Sequence, residues 1–184
     1  MIYPVYIYGS KVLREECLDI TPDYPELAKL ISDMFDTMYA SNGVGLAAPQ
    51  IGKAIALVVI DASPMAEDDP TAEGFKRVMI NPEIVEESEM EVLMNEGCLS
   101  VPGIHEDVYR PEEITVRYLD EEWKEHEEHL VGWPARVVQH ELDHLDGLVF
   151  TDHLTTLRKT LLRNKLGAMT KGKYDASYRT KLVK

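Results

Sequence analysis

The sequence predicts an α+β fold, and the order of its hydrophobic periods is the reason. One helical period comes first, several short strand-like runs follow, and two helical periods close the chain. No internal repeat and no linker interrupts this order. Residues 1–184 therefore read as one domain, long enough to bury a proper core, with a basic C-terminal segment from about 153 to 184.

The first helix is expected over residues 24–40. Leu27, Leu30, Ile31, Met34, Phe35 and Met38 recur at helical spacing. Ser41-Asn42-Gly43 supplies the stop. The next stretch, Gly43-Val44-Gly45-Leu46-Ala47-Ala48-Pro49-Gln50, has almost no side-chain bulk. Its glycine spacing weakly matches a dinucleotide-binding turn. That turn follows a strand and opens a helix, whereas this segment follows a helix and precedes a strand. The better reading is a backbone that a ligand must approach closely, with the Gln50 amide as a donor at its end.

Ala54–Ile60 is a short apolar run and reads as a buried strand. Residues 61–76 are acidic, contain Pro64, Pro70 and Gly74, and read as a surface loop. Further strands are expected at Val78–Pro82, Glu89–Met94, Ile114–Leu119 and Glu125–Leu130. Gly132-Trp133-Pro134 starts the second helix, where proline's missing N–H costs nothing. Gly147 is placed to end it in a left-handed conformation. Val138, Leu142 and Leu145 form its expected buried stripe, and Val137, His140, Glu141 and His144 face another side. The last helix is expected near 153–167, on Leu154, Leu157, Leu161, Leu162 and Leu166.

Composition narrows the class. Hydrophobic residues make up 45% and charged residues 28%, as in ordinary soluble domains. No apolar run approaches the roughly 20 residues needed to span a bilayer. The N-terminus lacks the basic segment and small-residue cleavage site of a signal peptide. Cys17 and Cys98 are the only cysteines, which disfavours a disulfide scaffold and favours a reducing, cytoplasmic setting. The net charge of −14 is uneven. Nine basic and two acidic side chains put residues 151–184 at +7 and leave residues 1–150 at −21. Such asymmetry fits either a tail that meets nucleic acid or a solvated helix that offsets its own domain's charge.

The chemistry concentrates in Gln139-His140-Glu141-Leu142-Asp143-His144. On a helix, residues four apart share a face, so His140 and His144 can offer nitrogens to one metal ion. Glu141 then stands beside that ion, able to take a proton from water. A surface helix with two solvated histidines fits the same spacing, so the third ligand matters. A downstream histidine three residues past a glycine would complete one metalloprotease pattern, but that position is Phe150. A downstream glutamate would complete another, and none follows Glu141. His153 fits neither spacing. Upstream, Cys98 in Asn95-Glu96-Gly97-Cys98-Leu99-Ser100 is the outstanding candidate, since a thiolate suits iron, zinc, cobalt or nickel. A small buried hydrophobe is its other reading. His105, His126 and His129 are rivals, the last two within an acidic, solvated run.

The segments Gly43–Gln50, Glu96–Ser100 and Gln139–His144, in that order, resemble the three motifs of the peptide deformylase family. Val12-Leu13-Arg14 looks like that family's opening strand and Asn81-Pro82-Glu83-Ile84 like its central one. Asp146-Gly147 closes the helix in the same way. The acidic loop and the basic C-terminus look variable. The resemblance implies antiparallel and mixed sheets wrapped around a central metal-binding helix, with a C-terminal helix. It implies removal of formyl from the formylmethionine of nascent peptides, releasing formate. Cys98, His140 and His144 would be the metal ligands and Glu141 the general base. The Gln50 side chain and Leu99 N–H would face the oxyanion, and the Gly45 backbone would pair with substrate. Val44, Met94, Trp133 and Val137, with part of His140, are the expected walls of a methionine pocket. The implied metal is ferrous iron, replaceable by nickel or cobalt or isolated as zinc. The ribosome is an expected partner of the basic tail, with no membrane or DNA partner. The competing expectations are a metallopeptidase that cleaves internal bonds and a non-enzymatic, metal-stabilised RNA-binding protein.

Overall fold

The computed structural model describes residues 1–184. Its strands are β1 (Val5–Tyr6), β2 (Gly45–Ala47), β3 (Leu57–Asp61), β4 (Lys76–Glu87), β5 (Glu91–Cys98), β6 (Val101–Pro111), β7 (Ile114–Leu119), β8 (Glu125–Leu130) and β9 (Thr180–Lys181). Its helices are α1 (Leu27–Ala40), α2 (Gly132–Leu145) and α3 (Thr156–Met169). β2, β3, β4, β7 and β8 form one sheet in that order, every pair antiparallel. β5 and β6 make a long antiparallel hairpin, and β9 runs parallel to β1. The α+β expectation holds, with antiparallel sheets and a C-terminal helix. No helix is long and apolar enough to cross a membrane.

β3 explains why its sequence is a continuous apolar run. Leu57 and Val59 pack with Leu30, Ile31, Met34 and Met38 of α1. Val58 and Ile60 pack on the opposite side with Val138, Leu142 and Leu145 of α2. A strand with a helix on each face has no solvent side, so period-two alternation disappears. Each fully buried aliphatic side chain there contributes roughly 1.5–3 kcal/mol.

β4 is the central strand, as the resemblance implied. Pro82 can sit in it because the β4–β7 register shifts between Ile80 and Glu83, so no ladder bond is required of its nitrogen. Asn81 at that shift bonds both backbone groups of Ile20, at 2.9 Å each.

Three expectations need correction, and one strand had no expectation. Val12-Leu13-Arg14 lies in a 3-10 turn, Lys11–Arg14, not a strand. α2 is buried on almost every side rather than along one stripe. Several of its polar residues, Arg136, Gln139 and His140 among them, have protein partners, such as Gln139 Nε2 donating to Pro111 O at 3.0 Å, so they need no solvent face. α3 begins at Thr156, after a 3-10 turn at Phe150–His153, and leaves Leu157 and Leu161 exposed. Strand β6 was not anticipated. Its pattern alternates, but two of its inward positions hold Glu106 and Arg110.

Candidate metal centre and active site

The polar core is built where α2 crosses the end of the β5–β6 hairpin. Helical stacking places Arg136, His140 and His144 four residues apart along α2. At the hairpin end the register shifts between Gly97 and Cys98, which re-aims the thiol. Cys98 Sγ lies 3.4 Å from His144 Nε2. One ligand atom from each of Cys98, His140 and His144 falls within 4.8 Å of the others. The rings of His140 and His144 meet edge to face, with centroids 5.3 Å apart.

His140 is held from behind. Its Nδ1 is 2.8 Å from Glu96 Oε1. Glu96 in turn accepts from Arg110 Nε at 2.7 Å and from an Arg136 guanidinium nitrogen at 2.8 Å. Arg136 also donates to Val108 O and Val92 O, and Arg110 to Asp143 Oδ2 at 2.8 Å. Burial works against the Glu96 charge, but His140 and Arg110 outweigh it and hold the carboxyl well below its usual range. A carboxylate on the outer nitrogen of a ligating histidine fixes ring direction and raises basicity.

The ionisation states suit metal binding. Burial pushes the Cys98 thiol up, yet the charges and hydrogen bonds of His144 and His140 bring it down to about 5. The thiolate is the ligating form. Glu141 moves the other way. Burial pushes its carboxyl up to about 7, against the pull of His140 and His144. The buried side-chain atoms without a hydrogen-bond partner are Glu141 Oε2 and His144 Nδ1, both on residues of this cluster. One thiolate, two imidazoles and an unpartnered buried carboxylate oxygen fit a divalent ion with three protein ligands and an open position.

A cavity of about 510 Å³ opens over this cluster. Val44, Gly45, Gln50, Cys98, Leu99, Trp133, Val137, His140 and Glu141 all line it. At Gly45 the Glu141 carboxyl comes close to the backbone. A Cβ there would lie 2.8 Å from Glu141 Cδ, so a side chain would displace the carboxylate. Gln50 is oriented by its own segment. Ala47 N–H donates to its Oε1 at 2.9 Å, which turns Nε2 toward Ser100 Oγ (3.2 Å) and Cys98 Sγ (3.6 Å).

Met94 does not reach this cavity. It lines a separate depression with Val92, Gly132 and Arg136. Strand alternation sets it on the same side as Glu96, but two residues further from the hairpin end, beyond Arg136. Its expected place as a wall is taken by Met65, from the acidic loop. Among the rival ligands, His105 reaches only the cavity lining. His126 and His129 sit on β8, paired with Asp120 (2.6 Å) and Glu113 (3.0 Å). His153 bonds Asp143 Oδ2 at 2.7 Å, behind the site. Glu96, Arg110, Arg136, Asp143 and Tyr178 were missed. The signal for Glu96 was at hand, since it stands two residues before Cys98 on a strand.

A family model described as polypeptide deformylase matches residues 2–160. The chain belongs to the polypeptide deformylase family. A protein of Christiangramia forsetii named peptide deformylase is 46% identical over 186 residues, covering 97% of this chain and 95% of its own. One from Salinibacter ruber is 47% identical over 184 residues, covering 97% and 93%. The crystal structure of a peptide deformylase from Legionella pneumophila superposes with a TM-score of 0.80 at 38% identity, covering 95% of this chain and all of its own. That from Thermotoga maritima gives 0.76 at 36% identity, covering 84% and 99%. All three motif segments fall inside the residues matched by the deformylase family model.

Proposed function

We propose that this chain removes the formyl group from the N-terminal formylmethionine of nascent polypeptides and releases formate. The observation that carries the reading is the convergence of Cys98, His140 and His144 beside the buried carboxyl of Glu141, in a deformylase family member. Family membership leaves the metallopeptidase and non-enzymatic readings without support.

Cys98, His140 and His144 would hold a divalent metal, which would supply Lewis-acid activation of water when bound. Glu141, buried beside His140 and His144, accepts the proton and later returns it to the leaving amine. Gln50 Nε2 and the Leu99 N–H donate to the oxyanion. Each such donor is worth roughly 10²–10³ in rate. The Gly45 backbone pairs with the substrate backbone, and Val44, Trp133 and Val137, with Met65, receive the methionine side chain. Ferrous iron is the metal we favour for a thiolate-containing set, with nickel, cobalt or zinc able to replace it.

The chain acts as one domain of residues 1–184, a reading supported by the pairing of β9 with β1. We place it in the cytoplasm, where two free thiols stay reduced. The ribosome is the proposed partner of α3, whose Lys159 and Arg163 are exposed. Purified protein, anaerobic and loaded with iron or nickel, is given formyl-Met-Ala-Ser. Formate release is expected. Metal demonstrably bound with no formate released would overturn the reading.

A further inference from the structure

The C-terminal segment after α3 lies beyond residue 160, where the family model ends, yet it returns to the active site. Asp175, Ala176, Ser177 and Tyr178 line the cavity. The Tyr178 hydroxyl donates to the Leu99 carbonyl at 2.6 Å. The strap that carries it is fastened to the body just after this contact, and before it Tyr174 packs on the core that includes Ile7 and Val101. β9 pairs with β1, with Val5 N–H donating to Arg179 O and Ile7 N–H to Lys181 O, each at 2.9 Å. The hydroxyls of Tyr174 and Thr180 lie 3.0 Å apart. The same N-terminal segment also grips the catalytic hairpin, through Tyr8 N–H to Ser100 O at 2.8 Å.

Two consecutive carbonyls, those of Leu99 and Ser100, are therefore pinned by hydrogen bonds. The Leu99 carbonyl and the Leu99 N–H belong to adjacent peptide planes, joined by only two soft dihedrals. Fixing the second plane restricts where the first can point. We propose that Tyr178 is a positioning residue that aims the Leu99 N–H at the oxyanion, making the C-terminal strap part of the active site. The inference rests on the reading of Leu99 as an oxyanion donor given under Proposed function. An aiming contact stabilises the transition state and not the bound substrate, so its loss falls on kcat and leaves KM alone.

The test is Tyr178→Phe, which keeps the ring and its packing and removes only the hydroxyl. Metal-loaded wild type and Y178F are compared on formyl-Met-Ala-Ser, with metal content, melting temperature and Leu99 amide exchange measured alongside. The expected result is a kcat lower by roughly 3–10-fold, the effect of one neutral hydrogen bond. KM should stay within about twofold and metal content should be unchanged, while the Leu99 amide exchanges faster. An unchanged kcat would overturn the proposal, as would a loss confined to KM or to metal content. A wild type that releases no formate would sink the functional reading and, with it, the oxyanion role given to Tyr178. Faster Leu99 exchange in Y178F would then still support the strap's hold on this segment.

Discussion

Helices α2 and α3 are each 14 residues long but have opposite surroundings. Eleven residues of α2 are buried, against Met169 alone in α3. Arg136 on α2 is enclosed, with Glu96, Val92 O and Val108 O as acceptors. Arg158 on α3 pairs with Glu106 while its side chain stays 47% exposed. The same residue type is a fixed structural part in one helix and a screened surface charge in the other. Burial also gives α2 its chemistry. It raises Glu141 toward neutrality and forces the polar groups around His140 into a closed network.

Glu141→Ala is the largest test of that contrast. It should keep the metal but lower turnover by roughly 10²–10⁴, the worth of a general base. Formate release measured beside metal content checks it, and near-wild-type turnover would remove the argument that burial prepares this carboxylate. Glu96→Ala tests the network behind His140. It leaves Arg110 and Arg136 facing each other without their shared carboxylate, at a cost of about 3–5 kcal/mol in denaturant unfolding. Since Glu96 is held well below its usual range when folded, its stabilisation is present above ordinary carboxylate titration. It is lost as pH falls below that range. Glu96→Gln should therefore flatten the acid limb of the stability curve, and an unaltered limb would contradict the assignment.

Smaller effects compare the helix starts. α3 is capped by its own Thr155, whose hydroxyl accepts from Arg158 N–H at 3.3 Å. α2 has no such cap of its own, and Asp69 of the acidic loop accepts from Trp133 N–H at 2.7 Å. Asp69→Ala should destabilise by about 1 kcal/mol, read by thermal melting. No loss would show that the loop merely lies nearby. Smallest of all, Lys159→Glu with Arg163→Glu should change stability by less than about 0.5 kcal/mol. Formate release should be unchanged. Ribosome co-sedimentation should weaken, most at low salt. Salt-independent binding equal to wild type would break the electrostatic account of α3.

The acidic loop makes contacts that its composition does not announce. Pro64, Pro70 and Gly74 marked it as a surface connection, and it does hold two 3-10 turns. Nothing in its composition told that Asp69 caps a distant helix or that Met65 lines the cavity. β6 was hidden for a related reason. Glu106 and Arg110 break the apolar alternation of a buried face, and their partners, Arg158 and Glu96, lie 52 and 14 positions away. Met94 failed as a wall because distance along a strand does not reveal where a helix residue such as Arg136 will cut the cavity off. α1, β3 and β7 were legible because their patterns depend only on which faces are buried.

The sequence alone determined the α+β order, the helix that bears His140, Glu141 and His144, and Cys98 as the outstanding candidate for a third ligand. These follow from local periodicity and from donor chemistry at fixed spacing. Only the tertiary structure decided that α2 is enclosed on nearly every side, that Glu96 anchors His140, and that the strap bearing Tyr178 returns to Leu99. Those contacts join residues 44 and 79 positions apart. The physical reason is that a buried charge or donor must find a partner somewhere in the fold. Local pattern announces the need for one but does not say where it comes from.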